Sequence, residues 1–316
     1  MITGRTFVLG VIGWPVEHSV SPAMHNAALA ALNLDGVYVA FPVPPAEVGA
    51  ALEGLWALGV RGANVTIPHK QAVLPHLSGL SPEARAAGAV NTLVRGDTGW
   101  VGYNTDGPGF MRALAEELGS PTSGLRALLL GAGGAARAVA FALAGAGAEA
   151  VTVANRSRER GQALVRDLAD RTRASVRLVP LEPEALAGAL AESDLLVNCL
   201  PVGMYPRSEE MPPVPADKLV PPLMVCDLIY NPRPTRLLLT ARAQGCRVMD
   251  GLAMLVAQGA LAFELWTGRQ PPGDVMRKAA EEALGQGGRR DGRLDGSGVG
   301  PDHPAREASG CRFREG

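Results

Sequence analysis

Excess charge of either sign, paired cysteines and long apolar runs are all missing from this chain of 316 residues, and histidine is scarce. With 30 basic and 31 acidic side chains the formal net charge is -1, so the electrostatic footprint of a nucleic-acid-binding protein is absent. A small-molecule partner is expected instead. The 4 cysteines, Cys199, Cys226, Cys246 and Cys311, form no Cys-x-x-Cys pair and no cysteine/histidine ligand spacing. That argues against a zinc or other metal site and against a disulfide framework, and it fits a reducing, cytoplasmic setting. No stretch reaches 18 uninterrupted apolar residues, and no basic segment leads into an apolar core at the N-terminus. The expectation is a soluble, unexported protein without a membrane partner. With 5 histidines, acid-base chemistry has few of its commonest agents to draw on.

What the chain does contain is a glycine-rich turn, Gly131-Ala132-Gly133-Gly134-Ala135-Ala136, directly after the apolar run Leu125 to Leu130. The run reads as a buried strand, the glycines permit a tight turn and close approach of a pyrophosphate, and the alanine-rich stretch from Gly134 to Ala146 opens a helix whose N-terminus faces the phosphates. A second strand is expected over Ala150 to Ala154. Where a ribose-binding acid would follow it, the chain has Asn155-Arg156-Ser157-Arg158 instead. An acid there would accept from a ribose 2'-hydroxyl and repel a 2'-phosphate, whereas Arg156 offers a flat, permanently charged donor fork. The expected cofactor is therefore NADP(H). Arg156, Arg158 and Arg160 at a helix start oppose the helix dipole, and an anionic ligand would resolve that conflict.

Periodicity places strand, loop and helix in alternation before this unit as well. Strands are expected over 6–12, 38–43 and 62–67 and helices over 22–32 and 46–58, which predicts a mostly parallel sheet. A helix from Gly109 to Leu118 and the Gly119-Ser120-Pro121 break mark a domain junction. From Gly251 an apolar helical stretch follows, then a last helix over roughly Asp274 to Leu284. The remainder is rich in Gly, Arg and Asp and too poor in apolar residues to offset its ordering entropy. It is expected to be a disordered tail, bounded at about residue 287.

Other polar residues sit where an open α/β sheet binds ligands. Asn64-Val65-Thr66-Ile67-Pro68-His69-Lys70 puts polar groups at a strand end with a lysine just beyond, and Gly102-Tyr103-Asn104-Thr105-Asp106 does the same with a carboxylate. Hydride transfer to a ketone needs a group that moves a proton at its oxygen, and Lys70 with Asp106 is the natural pair. Taken alone, a lysine and an aspartate so far apart in sequence more often form a surface pair or no pair at all. Ser19 and Ser21, in His-Ser-Val-Ser-Pro, stand ahead of a helix start where they could cradle a carboxylate or serve as helix caps. Asn91 opens a strand, and Gln258 is a polar residue on an otherwise apolar helix.

Together these segments resemble the shikimate dehydrogenase family over residues 5–284. The stretches that carry the resemblance are His-Ser-Val-Ser-Pro-Ala-Met-His-Asn (18–26), Asn-Val-Thr-Ile-Pro-His-Lys (64–70), Gly-Ala-Val-Asn-Thr (88–92) and Gly-Tyr-Asn-Thr-Asp-Gly-Pro-Gly (102–109). Further on come the glycine-rich turn, Asn-Arg-Ser (155–157), Asp-Leu-Ile-Tyr-Asn-Pro (227–232) and Met-Leu-Val-Ala-Gln-Gly (254–259). The resemblance implies two α/β domains around a cleft: a discontinuous substrate-binding domain, 1–105 completed by 251–286, and a Rossmann NADP-binding domain, 106–250. It implies NADPH-dependent, reversible reduction of 3-dehydroshikimate to shikimate in aromatic amino acid (chorismate) biosynthesis, by a homodimer or, failing that, a monomer.

Carried onto this sequence, it implies that Ser19, Ser21 and Tyr230 hold the substrate carboxylate with Thr66 nearby, and that Asn64, Asn91 and Gln258 bind ring hydroxyls. Lys70 and Asp106 would flank the reacting oxygen. Gly131, Ala132, Gly133, Gly134, Ala135 and Ala136 would hold the pyrophosphate, and Asn155, Arg156, Ser157 and Arg160 the 2'-phosphate end. Leu228 and Gly251 would line the nicotinamide. Two positions depart from the family's usual pattern: His69 stands where Phe is common, and Cys199-Leu200 replaces a small residue and Thr. The rival readings are a quinate/shikimate dehydrogenase of broader substrate range and a non-catalytic NADP(H)-binding module, which would need neither Lys70 nor Asp106.

Overall fold

The computed structural model describes residues 2–119 and 122–291. The first run of elements is β1 (Phe7–Gly13), α1 (Ser21–Ala31), β2 (Gly36–Pro42), α2 (Val48–Ala57), β3 (Gly62–Val65), β4 (Gly79–Leu80), α3 (Pro82–Ala87), β5 (Thr92–Arg95) and β6 (Trp100–Tyr103). A second run follows: α4 (Asp106–Leu118), β7 (Arg126–Leu130), α5 (Gly134–Gly145), β8 (Ala150–Asn155), α6 (Arg158–Arg171), β9 (Ser175–Pro180), α7 (Pro183–Ala191), β10 (Leu195–Asn198), β11 (Met224–Asp227), α8 (Arg236–Ala243) and β12 (Arg247–Met249). The described chain closes with α9 (Gly251–Thr267) and α10 (Gly273–Asp291).

Two six-stranded sheets result, with orders β2-β1-β3-β5-β6-β4 and β12-β11-β10-β7-β8-β9. In the second, all pairings are parallel, and the order places the switch point between β7 and β10. That is the arrangement of a doubly wound dinucleotide-binding sheet. The first sheet is mostly parallel, as the alternation predicts, with one exception: β5 runs antiparallel to both β3 and β6. Only residues 96–99 join β5 to β6, closed by Gly96 N–H donating to Gly99 C=O at 3.1 Å. So short a connection permits a hairpin and no crossover.

Period-two burial accounts for the layers. In β7, Ala127 and Leu129 join one core cluster while Leu128 and Leu130 join the opposite one; in β1, Leu9 and Val11 face away from Ile12 in the same manner. Both faces of both sheets are thus covered, as parallel strands between helices require. Helix α9 serves both halves, with Met254 in the core of the second sheet and Leu252, Val256 and Phe263 in the core of the first. Helix α4 contributes Phe110, Ala113 and Leu114 to the second.

Helix α10 runs on to Asp291, past the boundary expected near residue 287. Gly285, Gly287 and Gly288 weaken the helix signal there, and the helix runs through them. The rest of the tail expected to be disordered lies outside the described residues. Among the described residues no helix is long and apolar enough to cross a membrane.

His25, fully buried on α1, stacks on Tyr38 with ring centroids 4.4 Å apart, and among the described residues neither ring nitrogen finds a hydrogen-bond partner. Burial, against a smaller opposing influence of Asn64, lowers its pKa to about 3. Below the unfolded value of about 6.5 the unfolded chain therefore takes up a proton that the folded one refuses, and stability falls as the pH drops towards 3. Replacing His25 with Phe keeps the stack and removes the titration. Between pH 7.5 and 4.5 the wild type should lose about 2 kcal/mol more than His25→Phe in denaturant unfolding, at up to ~1.4 kcal/mol per pH unit; parallel curves would contradict this.

Candidate active site

Lys70 lies in the turn after β3, and its Nζ donates to Asp106 Oδ2 at 2.6 Å, with the two side chains only 17% and 5% exposed. Of the two polar clusters expected at strand ends, the second is displaced: Asp106 is the first residue of α4. Asn104 makes that start possible. Its Oδ1 accepts from the backbone N–H groups of Asp106 (3.1 Å) and Gly107 (3.3 Å), two of the donors that a helix N-terminus leaves unpaired. Its Nδ2 donates to Ala89 C=O at 2.9 Å, tying the start of α4 to the segment that carries Asn91. Lys70 is held on that segment from the other side, since its C=O accepts from Val90 N–H at 2.8 Å.

Asn91 is the centre of the buried network. Its Nδ2 donates to Asp106 Oδ1 and Thr105 Oγ1, both at 2.9 Å, and reaches Gln258 Oε1 at 3.2 Å. Its Oδ1 accepts from Thr105 N–H at 2.7 Å. Asp106 is thus bonded to a cation on one oxygen and an amide on the other, which is what keeps a buried carboxylate tolerable. Asn64, at the end of β3, donates to Asn91 C=O (3.1 Å) and Thr92 Oγ1 (3.2 Å) and accepts from Tyr38 Oη–H at 2.7 Å. Lys70, Asp106, Asn64, Asn91 and Gln258 are therefore brought into one polar cluster, although they come from four separate stretches of sequence.

The serines do not cap α1. The residue before the helix is Val20, no side chain caps it, and Ser21 is itself the first helical residue, with its N–H donating to Ser19 Oγ at 3.3 Å. Ser21 is buried beside Tyr38, and Ser19 is half-buried. Tyr230 packs against the core cluster containing Val20 and Met24, beside the same helix, and burial pushes its phenol up. Thr66 follows β3, anchored by its N–H on Ile12 C=O at 2.9 Å.

Most of the residues expected to hold the cofactor lie at the carboxyl ends of β7 and β8, where a doubly wound sheet takes its dinucleotide, while Leu228 follows β11 and Gly251 opens α9. Gly131 has φ of +110°, which disfavours any side chain, and its N–H pairs with Ala154 C=O at 2.8 Å. Helix α5 starts at Gly134 with no side-chain cap, so its first N–H groups point at the turn unpaired by side chains. Lys70 Cβ lies only 3.2 Å from where a side chain on Gly134 would begin. The turn therefore abuts the lysine. Arg156, Arg158 and Arg160 stand exposed around the start of α6 and enter no ion pair among the described residues. Ser157 caps that helix, accepting from Arg160 N–H at 3.4 Å, and Asn155 Nδ2 donates to Ser157 C=O at 2.8 Å. Uncapped amides beside a glycine turn and three unpaired guanidinium groups fit a ligand bearing a pyrophosphate and a further phosphate.

Of the two departures noted in the sequence, His69 is fully buried and its Nε2 lies 2.7 Å from Val43 C=O, which fastens the Lys70 turn to the end of β2. Leu200 lies against Gly131, 3.2 Å from a side chain's first atom there. Tyr38 escapes the sequence reading, and Asn104 and Thr105, quoted there in the polar stretch before Asp106, receive no role of their own. An Asn two residues ahead of a helical Asp is a recognisable cap signal and could have given Asn104. Nothing local marks Tyr38.

Comparison with known proteins covers almost the whole described chain. Family models match as the shikimate dehydrogenase substrate binding domain (residues 11–93), shikimate / quinate 5-dehydrogenase (113–234) and the shikimate 5'-dehydrogenase C-terminal domain (251–281). Shikimate dehydrogenase (NADP(+)) of Desulforamulus reducens is 48% identical over 286 residues, covering 90% of this chain and 98% of that protein. The protein of the same name from Methanopyrus kandleri is 49% identical over 284 residues, with coverages of 90% and 98%. Among solved structures, shikimate 5-dehydrogenase of Thermus thermophilus, in complex with NADP(H) and shikimate, superposes with a TM-score of 0.79 at 42% identity, covering 88% of this chain and all of that one.

Replacing Asn104 with Ala would leave the N–H groups of Asp106 and Gly107 and the C=O of Ala89 without their partner in a buried setting. At about 1–3 kcal/mol for such a loss, and about 2–4 °C per kcal/mol for domains of this size, Tm should fall by roughly 2–12 °C. A scan within 1 °C of wild type would contradict the role given to Asn104.

Proposed function

The chain belongs to the shikimate dehydrogenase family, and from that premise we propose that Lys70 and Asp106 form its catalytic pair, with the residues around them holding the substrate. The protein is an NADP-dependent oxidoreductase that interconverts 3-dehydroshikimate and shikimate, within chorismate biosynthesis. We divide the chain as the sequence suggests, into a substrate-binding domain of residues 1–105 and 251–286 around a Rossmann domain of residues 106–250. The core that α9 shares between both sheets supports the return of the chain to the first domain. Cys199, Cys226 and Cys246 are free thiols, in keeping with a reducing cytoplasm, and a homodimer or a monomer is the expected assembly.

The observation that carries the assignment is the ion pair Lys70–Asp106 at 2.6 Å, mostly out of water and against the glycine turn. NADPH, when bound along Gly131 to Ala136 with its 2'-phosphate towards Arg156 and Arg160, supplies the hydride. The protein's part is the proton. As negative charge develops on the ketone oxygen, Lys70 gives that oxygen a proton, and Asp106 steadies the ammonium beforehand and accepts from the hydroxyl afterwards. Asn91 keeps Asp106 turned towards Lys70 by occupying its second oxygen. Ser19, Ser21 and Tyr230 would hold the carboxylate, and Asn64, Asn91 and Gln258 the ring hydroxyls. The reading as a quinate/shikimate dehydrogenase of broader substrate range is not favoured, because the relatives at 48% and 49% identity carry the NADP shikimate dehydrogenase name.

Steady-state oxidation of shikimate, followed at 340 nm, tests the roles. NADP+ should be preferred to NAD on the order of a hundredfold through Arg156 and its neighbours. Lys70→Ala should reduce kcat by 10²–10⁴-fold while KM for shikimate stays within about tenfold, and adding Asp106→Ala should cost little more. Near-normal kcat with a greatly raised KM would make Lys70 a ligand and not the proton donor.

A further inference from the structure

On the second sheet lies a buried carboxylate that the proposed chemistry does not use. Asp227 ends β11, is 1% exposed, and receives three hydrogen bonds from three different segments. Asn198 Nδ2 donates to its Oδ1 at 3.0 Å, Ile229 N–H donates to the same oxygen at 3.1 Å, and Thr235 Oγ1–H donates to Oδ2 at 2.7 Å. No cation pairs with it among the described residues, and burial, opposed by those three donors, pushes its pKa up to about 6. A charged group kept in such a place without a counter-ion is costly, and its bonds must hold something in place.

What they hold can be read from the partners. Asn198 ends β10, and its Oδ1 accepts from Leu200 N–H at 3.1 Å, so it shapes the 198–200 turn against Gly131. Thr235 caps α8, with its Oγ1 accepting from Leu238 N–H at 3.4 Å. Ile229 lies between Leu228 and Tyr230, and its C=O accepts from Gly251 N–H at 3.2 Å. At Gly251 a side chain would begin only 2.2 Å from Leu228 C=O, so the 228–229 backbone rests directly on the first residue of α9. One carboxylate thus fixes the 198–200 turn, the 228–230 segment and the start of α8 to each other.

The strand order says which part of the cofactor those segments face. With β7, β8 and β9 on one side of the switch point and β10, β11 and β12 on the other, the unpaired arginines after β8 mark the adenosine half. The carboxyl ends of β10 and β11, where Asn198 and Asp227 sit, belong to the nicotinamide half. We propose that Asp227 is a positioning residue for the nicotinamide, acting through the 198–200 and 228–230 segments while leaving the adenosine half untouched. The inference rests on the reading of the protein as an NADP-dependent dehydrogenase.

Its test separates the two halves of the cofactor. Dissociation constants for NADPH, from its fluorescence, and for 2',5'-ADP, which lacks the nicotinamide, are measured for wild type and Asp227→Ala, with kcat for shikimate oxidation alongside. Asp227→Ala should weaken NADPH binding about tenfold or more and lower kcat at least tenfold, with 2',5'-ADP binding within twofold of wild type. Unchanged NADPH binding and kcat, or equal losses for NADPH and 2',5'-ADP, would overturn the proposal. If Asp227→Ala does not fold, Asn198→Ala, which removes the link between the two segments, must show the same split, and its failure to do so overturns the proposal equally. A wild type that binds NADPH but does not oxidise shikimate would instead sink the substrate assignment, which these binding constants do not depend on.

Discussion

An ammonium and a carboxylate 2.6 Å apart, sheltered from water, are the constraint around which this molecule is arranged. A pair of charges taken out of water is stable only if both stay partnered, and removing one strands the other. Asp106 meets that condition with Lys70 on one oxygen and Asn91 on the second, and Lys70 is fixed through its backbone to Val90. Asn91 in turn is bonded to Thr105 and reaches Gln258, so the pair cannot shift without disturbing α4, β5 and α9 together. A group that must deliver a proton at one oxygen gains from that rigidity, since a misplacement of about 1 Å is costly in rate.

The same pair explains why the halves of the chain must meet. Lys70 and Asn91 come from the mixed sheet, Asp106 from the helix that leads into the parallel one, and Gln258 from the helix that returns. Helix α9 has its buried residues divided between the two cores, which gives the return segment a packing reason as well as a chemical one. Arg137 adds a further tie: from α5, it donates through Nε to Ala87 C=O at 2.5 Å and pairs with Asp167 on α6. The helix that opens at the glycine turn is therefore fastened to the segment that carries Asn91.

Much of this is legible in the sequence, and the reasons for what is not are physical. The dinucleotide unit could be read because its signals are local: an apolar strand, glycines at the turn, an alanine-rich helix and arginines in place of an acid all lie within some thirty-five residues, near the roughly thirty expected of such a unit. The parallel core of the second sheet follows from the same alternation. The hairpin of β5 and β6 was hidden because two four-residue strands leave too few positions for a period to declare itself. Ser21 looked like a cap and is a helical residue, because the chain turns one residue earlier at Val20. Tyr38 reaches the polar cluster only through a hydrogen bond to Asn64, 26 positions away, and Asp227 reaches Asn198 and Thr235, 29 and 8 positions away. Such roles arise from tertiary convergence, which no local pattern encodes. The resemblance supplied most of the site, and the structure adds the partners that make it rigid.

The most direct measurement of the central claim is a crystal structure of the protein with NADP+ and shikimate. The account places Lys70 Nζ and an oxygen of Asp106 both within about 2.6–3.2 Å of one and the same substrate hydroxyl, the one that is oxidised. A complex in which that hydroxyl lies out of reach of Lys70, with another side chain at hydrogen-bond distance in its place, would contradict it.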